Sequence, residues 1–274
     1  MGDNKMKKVI IALFAVLILS NMFAWEENGV PVRVGVNIEW FRSATKTDDG
    51  NIVYAWSDTR LAERDIYVQK VDENGDFLWG DDGITVNAYA NRQEDIVVID
   101  TGAGSVITAW IDFRNSDAGD IYVQKVAGDG SLLWDVDGVP ICLADNIQIS
   151  LNIINDADGG AYIIWLDSRN PGGSAIYGSH VLATGTIAPG WDANGNVIVN
   201  EDGSQNQHTF WEDGQGGGIL AWHDTRDAND DNVYMQRFTA DGTLLWGNGG
   251  TLLCDAALEQ SKAKITPDGQ GNFI

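Results

Sequence analysis

Tryptophan recurs in this chain at one interval that does not vary. From Trp25 to Trp56, Trp79 to Trp110, Trp134 to Trp165 and Trp191 to Trp222 the distance is always 31 residues. From each opening Trp to the closing one at Trp79, Trp134, Trp191 or Trp246 it stretches over 23, 24, 26 and 24 residues. A fixed half joined to an elastic half, with a period of 54 to 57 residues, is what one supersecondary unit with adjustable loops gives. The second copy shows the unit most fully: Ala109-Trp110-x-Asp112-x-Arg114, then Asp120-Ile121-Tyr122-x-Gln124, then Asp129-Gly130, then Leu132-Leu133-Trp134.

Each unit holds four short runs with strand character, which in the second are Glu94 to Ile99, Ser105 to Asp112, Asp120 to Val126 and Gly138 to Leu143. Alternation, β-branched and aromatic residues and bounding Gly, Asp and Asn support strands, and nothing after Ala24 keeps a helical period. Asn74-Gly75, Asp129-Gly130 and Asp241-Gly242 are turn pairs between the third and fourth runs; Asp49-Gly50, Asp158-Gly159, Asp213-Gly214 and Asp268-Gly269 mark the turn between the first and second. The fold class is therefore all-β, a β-propeller of four-stranded blades. Trp25 to Val32 matches the end of a repeat, and Asp268 to Ile274 the beginning of a fifth. The expectation is a truncated ring: a closing strand, four full blades and the start of another, with apolar blade faces that favour self-association.

The first 24 residues differ from the rest. Lys5, Lys7 and Lys8 precede the apolar run Val9 to Leu19, and Met22-Phe23-Ala24 ends it, the pattern of a secretory signal peptide cleaved after Ala24. The domain expectation is thus 1–24 signal and 25–274 propeller, secreted or at the cell surface, with no membrane insertion once the signal is removed. Loss of three Lys and one Asp takes the net charge from −23 to −25, which argues against a nucleic-acid or anionic-membrane partner, since the protein would repel polyanions. Cys142 and Cys254 occupy the same place in the second and fourth repeats, eight residues after the closing Trp. Equivalent points two repeats apart lie beyond disulfide reach, so two buried free thiols are expected.

At Trp-x-Asp-x-Arg, Asp-Ile-Tyr-x-Gln-Lys-Val and Gly-x-x-Leu-Trp-Gly, the stretch from Trp25 to Ile274 resembles repeats of large exported bacterial surface proteins, which often end in a sorting domain. It is also distantly similar to sialidase-type propellers, whose Asp-box turn carries an Asp five residues before Trp; Asn74, Asp129 and Asp241 stand at that offset. The resemblance implies a propeller and leaves the activity open.

Arg60, Arg114, Arg169 and Arg226 admit two readings. They form a ring on the face of the second-to-third-strand loops that grips anionic glycans, or each pairs with the Asp two residues before it and ties down its own loop. Gln93, Gln148, Gln205 and Gln260 open each first strand and suit loop backbone groups, while Glu39 breaks that pattern. On the innermost strand, Phe41, Ser43, Asp95, Val97, Ser150, Asn152, Gln207, Thr209, Lys262 and Lys264 are expected to face a wet channel. Ile96, Val98, Leu151, Ile153, Phe210 and Ile265 are expected to face neighbouring blades. Glu39 and Asp95 join the four Arg as candidate ligand-binding residues. Asp156, Asp158, Asp192 and Asn194, with the cluster from Asp227 to Asn232, gather oxygen ligands within a few residues, as calcium requires; the same clusters are ordinary turn chemistry. His180, His208 and His223 lack partners at zinc spacing. No phosphate loop, nucleophile elbow or dinucleotide fingerprint is present. No catalytic residue is assigned, and the chain reads as a non-enzymatic propeller presenting loops to a protein or glycan. The alternative is a sialidase-like or other glycan-processing hydrolase with its site at the channel mouth.

Overall fold

The structure is a computed structural model. It describes residues 39–274 except 62, 228–230, 257–259, 261–262 and 269–272, and gives backbone alone at 39–42 and 207. The expected signal segment, the strand from Trp25 to Val32 and the side chains of Glu39, Phe41, Gln207 and Lys262 lie outside the described residues. Sixteen strands form four antiparallel sheets, each a meander in chain order. The first holds β1 (Glu39–Lys46), β2 (Ile52–Asp58), β3 (Asp65–Val71) and β4 (Ile84–Asn87); the second holds β5 (Gln93–Asp100), β6 (Val106–Asp112), β7 (Asp120–Val126) and β8 (Val139–Cys142). The third holds β9 (Gln148–Asn155), β10 (Ala161–Asp167), β11 (Ala175–Val181) and β12 (Asn196–Val199); the fourth holds β13 (Gln205–Glu212), β14 (Gly218–Asp224), β15 (Asn232–Phe238) and β16 (Thr251–Cys254). The arrangement is all-β and propeller-like, and no helix among the described residues is long and apolar enough to cross a membrane.

The sheets stack face to face because their middle strands are apolar on both sides. β6 and β10 are buried along their whole length. Ile107, Ala109 and Ile111 turn to one neighbour, where Leu151, Ile163 and Trp165 meet them, while Val106 and Trp110 turn to the other against Val53, Val68 and Val86. The set expected at blade interfaces is there: Ile96, Val98, Leu151, Ile153, Phe210 and Ile265 are all buried. A single buried side chain of this size contributes about 1.5–3 kcal/mol over its exposed state.

The closing Trp acts across these interfaces. Trp79, Trp134 and Trp191 each donate their indole N–H to a carbonyl of the next sheet, Gly128 O at 3.1 Å, Ala183 O at 3.1 Å and Ala240 O at 2.9 Å. The turn glycine beside that carbonyl is needed twice over. Gly130 has φ +89°, and a Cβ there would lie 3.0 Å from the Trp79 ring. In the first, second and fourth sheets the Gln of the third strand, Gln69, Gln124 or Gln236, pins the segment that carries the closing Trp: Gln124 accepts from Trp134 N and donates to Asp135 O at 2.7 Å. The third sheet has Ser179 in that place, without such a bond, and it is the copy with the longest spacing.

Two expectations, one about the inner strands and one about the cysteines, need correction. A bulge in every inner strand, opposite the opening Trp, inserts a residue between Glu94 and Val97, Ile149 and Asn152, and Asn206 and Thr209. Asp95 and Ser150 take positive φ of 52° and 58° there. Simple alternation is interrupted, and Thr209 is buried rather than facing a channel. Both cysteines are free, as expected, but Cys142 is buried and Cys254 only half-buried. The outer face of β16 has less over it: Leu253 is 56% exposed where its counterparts Val86, Ile141 and Ile198 are at most 2% exposed.

Candidate functional site at the ends of the inner strands

The two ends of each inner strand carry different chemistry. At the end where β1, β5, β9 and β13 begin, every sheet repeats one construction. Trp110 Nε1 donates to Asp112 Oδ2 at 2.9 Å, and Arg114 donates to the same carboxylate from its backbone N at 2.9 Å and from a guanidinium nitrogen at 2.6 Å. That guanidinium also donates to Asp137 O at 2.9 Å and lies 4.0 Å over the Tyr122 ring. Arg60, Arg169 and Arg226 do the same with Asp58, Asp167 and Asp224 and the carbonyls of Asp82, Asn194 and Gly249. Burial pushes the Asp58 carboxyl up, but the Arg60 and Trp56 donors outweigh it and hold it below the usual carboxylate range. Of the two readings open in the sequence, the Asp–Arg pair is present in all four sheets.

Gln93 and Gln148 donate to loop carbonyls at this same end, at 2.8 Å to Asn91 O and Asn146 O. Asp95 turns its carboxylate toward the backbone N–H groups of Leu151 and Ser150 on the next inner strand, and burial raises its pKa. Ser43 makes a similar crossing, accepting from Val98 N at 3.2 Å. These side chains stitch neighbouring inner strands together.

The oxygen-rich turns are engaged internally. Asp156 accepts from Asp158 N at 2.8 Å and Gly160 N at 2.7 Å, and its other oxygen is 2.8 Å from His180 Nε2. Asn194 accepts from Leu143 N at 2.7 Å, and Asp192 N donates to Asn196. Among the described residues no three His, Cys, Asp or Glu side chains converge. The cluster from Asp227 to Asn232 falls partly outside them.

The opposite end is open. There the last residues of all four inner strands surround a cavity of about 510 Å³. The eighth residue of each strand reaches it, and these are Lys46, Asp100, Asn155 and Glu212, four different side chains at one place in the repeat. The seventh position supplies Thr45, Ile99, Ile154 and Trp211, and Trp211 is 39% exposed. Burial raises the Asp100 pKa, and the charges of Asp48 and Asp49 add to the rise against N–H donors from Asp48 and Gly102. The cavity thus offers an aromatic face, one cation, two carboxyls and an amide. Sequence reasoning sought the site at the Arg end and missed this one. The available signal was positional: the eighth residue changes in every copy, while Trp, Asp and Arg do not.

No protein-family model matches the chain, and no curated protein sequence matches it. Among solved structures it is similar to a protein of unknown function from Dyadobacter fermentans DSM 18053, with a TM-score of 0.51 and 10% identity over 77% of this chain and 68% of that one. A thermostable family-43 glycoside hydrolase aligns with a TM-score of 0.44 and 13% identity over 79% of this chain and 74% of the other. An α-L-arabinofuranosidase from Lactobacillus brevis aligns with a TM-score of 0.43 and 12% identity over 84% and 76%. Likeness at these identities reaches the fold alone, and the two weaker alignments carry nothing about chemistry.

Proposed function

We propose that the chain is an exported propeller, built of blades repeating every 54 to 57 residues, that binds a carbohydrate at the cavity ringed by Lys46, Asp100, Asn155 and Glu212. The observation that carries this is the exposed Trp211 beside four unlike polar side chains at one repeat position. A sugar has an apolar C–H face and a rim of hydroxyls, so it needs an aromatic surface together with donors and acceptors, as this cavity provides. One positive and two negative side chains leave the rim net negative, which suits neutral or amino sugars over uronic or sialic acids. The four clamped Arg serve the scaffold in this reading, and the apolar amino-terminal segment exports the protein. Calcium has no assigned role here. A glycan array of the full chain tests the proposal: neutral glycans bound by the chain and lost with Trp211→Ala support it, and an array with no ligand, or one whose hits survive that change, overturns it.

One observation favours a second reading. Asp100, with its raised pKa, and Glu212 supply two carboxyls to one cavity, the minimum for glycoside hydrolysis. A panel of fluorogenic glycosides decides between the readings. Turnover removed by Asp100→Asn and by Glu212→Gln makes the chain a hydrolase; binding without turnover leaves it a lectin-like module.

A further inference from the structure

The cavity is not the whole of the open surface. A groove of about 150 Å³ leads from it between the first turns of the third and fourth sheets, and the two spaces share Asn155 and Glu212. We infer that this groove is a second subsite, so that the protein takes a linear oligosaccharide with one unit in the central cavity and the next between those turns. The inference rests on the carbohydrate reading above and deepens it.

The same place differs between two sheet boundaries. Between the first and second sheets the turns are strapped together. Asp48 accepts from Ala103 N at 2.9 Å and Gly104 N at 2.7 Å, and Lys70 bridges from Asp49, at 2.5 Å, to Gly104 O, at 3.0 Å. The residue aligned with Asp48 in the third sheet is Ala157, whose methyl group cannot make that strap. The facing turn carries Gly214 and Gly216, where an added Cβ would meet nothing within 4 Å. Small residues on both sides therefore leave the groove open.

Its walls are nonetheless fixed before any ligand arrives. Asp213 accepts from Gln215 N and Gly217 N, both at 2.8 Å, and its second oxygen is held by Arg237 at 2.8 Å. Asp156 is held in the same way by its own turn and His180. Tyr162 donates its hydroxyl to Gly216 O at 2.7 Å, tying the groove floor across the boundary. A preformed groove with spent wall carboxylates and shared Asn155 and Glu212 fits a second sugar better than a metal ion or a charged peptide.

The experiment is a chain-length series on the full chain. Neutral gluco-, galacto-, manno-, xylo- and arabino-configured mono-, di- and tetrasaccharides are titrated with calorimetric detection, for the unaltered chain and for Ala157→Met. Ala157 already holds φ at 65°, so a longer unbranched side chain fills the groove without a new backbone demand. In the configuration that binds, the tetrasaccharide is expected to bind about tenfold more tightly than the monosaccharide, and Ala157→Met to remove that gain while leaving the monosaccharide constant unchanged. Equal affinity at all lengths, or a length gain that survives Ala157→Met, overturns the second subsite and leaves the carbohydrate reading standing. No binding by any sugar of the panel overturns both. A melting curve of the variant within a few degrees of the parent keeps misfolding out of the comparison.

Discussion

The two ends of the inner strands have been built by opposite rules. At the starting end, Trp110, Asp112 and Arg114 recur with the same roles in all four sheets, each carboxylate held by the indole and guanidinium of its own sheet and each guanidinium also bound to a loop carbonyl. At the far end, the eighth position reads Lys46, Asp100, Asn155 and Glu212, and these side chains face an open cavity. A residue that every repeat needs for stacking is repeated; a residue that meets a ligand off the symmetry axis has no reason to be. In this chain repetition marks scaffold, and in the proposed function divergence marks the ligand site.

The comparison breaks first, and most severely, at the scaffold end. Asp112→Ala leaves the Arg114 guanidinium and the Trp110 indole N–H facing one another with no carboxylate, and is expected to cost about 3–5 kcal/mol in urea unfolding. A loss below about 1 kcal/mol would show the clamp to be ornamental. Sugar affinity of the folded fraction stays unchanged if the two ends are separate in role.

A smaller effect of opposite sign is expected at Asp65, where burial pushes the carboxyl up to about 6 against a weak Tyr67 hydroxyl contact at 3.4 Å, and the charges of Asp58 and Glu63 add to the rise. The folded state prefers the protonated form, so this residue's contribution is most favourable below about pH 4 and is lost as pH rises through about 6. The fourth sheet already has Asn232 at this place. Asp65→Asn is therefore expected to stabilise the chain by on the order of 2 kcal/mol at pH 7 and by well under about 1 kcal/mol at pH 4. Equal gains at both pH values would remove the charge explanation.

At the cavity end the expected effect is on ligand rather than on fold. Trp211→Ala should weaken sugar binding about tenfold or more, while changing unfolding free energy by under about 1 kcal/mol because the ring is substantially exposed. Loss of stability instead of affinity would place Trp211 with the scaffold. The mildest test concerns the strap: Asp48→Ala should speed amide exchange at Ala103 and Gly104 and leave affinity alone, since those two N–H groups lose their carboxylate acceptor. Unchanged exchange would mean that the first boundary is closed by packing alone, and the contrast with Ala157 would weaken.

Much of the scaffold was legible beforehand. The second sheet's strands fall within a residue or two of the runs read from alternation, and Ile96, Val98, Leu151, Ile153, Phe210 and Ile265 are buried as their spacing implied. Gln124 was visible as a motif residue, but its role in pinning Trp134 was not, because that bond spans a loop whose path the sequence does not give. The inner-strand bulge was also invisible: nothing in Glu94-Asp95-Ile96 distinguishes an extra residue from regular strand until the facing register is known. The half-exposure of Cys254 belongs to the same class, since burial of an outer strand depends on what is packed over it.

The cavity stayed hidden for a related reason. Lys46, Asp100, Asn155 and Glu212 are separated by more than fifty residues each and form no local motif, whereas Trp-x-Asp-x-Arg is compact enough to draw attention by itself. By itself the sequence determined the repeating sheet, its apolar faces and its turns, because periodicity of side chains along a strand is a local property written directly in residue order. Only the tertiary structure decided which end of the inner strands is open, because that depends on how sheets distant in the chain converge, and on whether an Asp or an Ala stands where two turns meet.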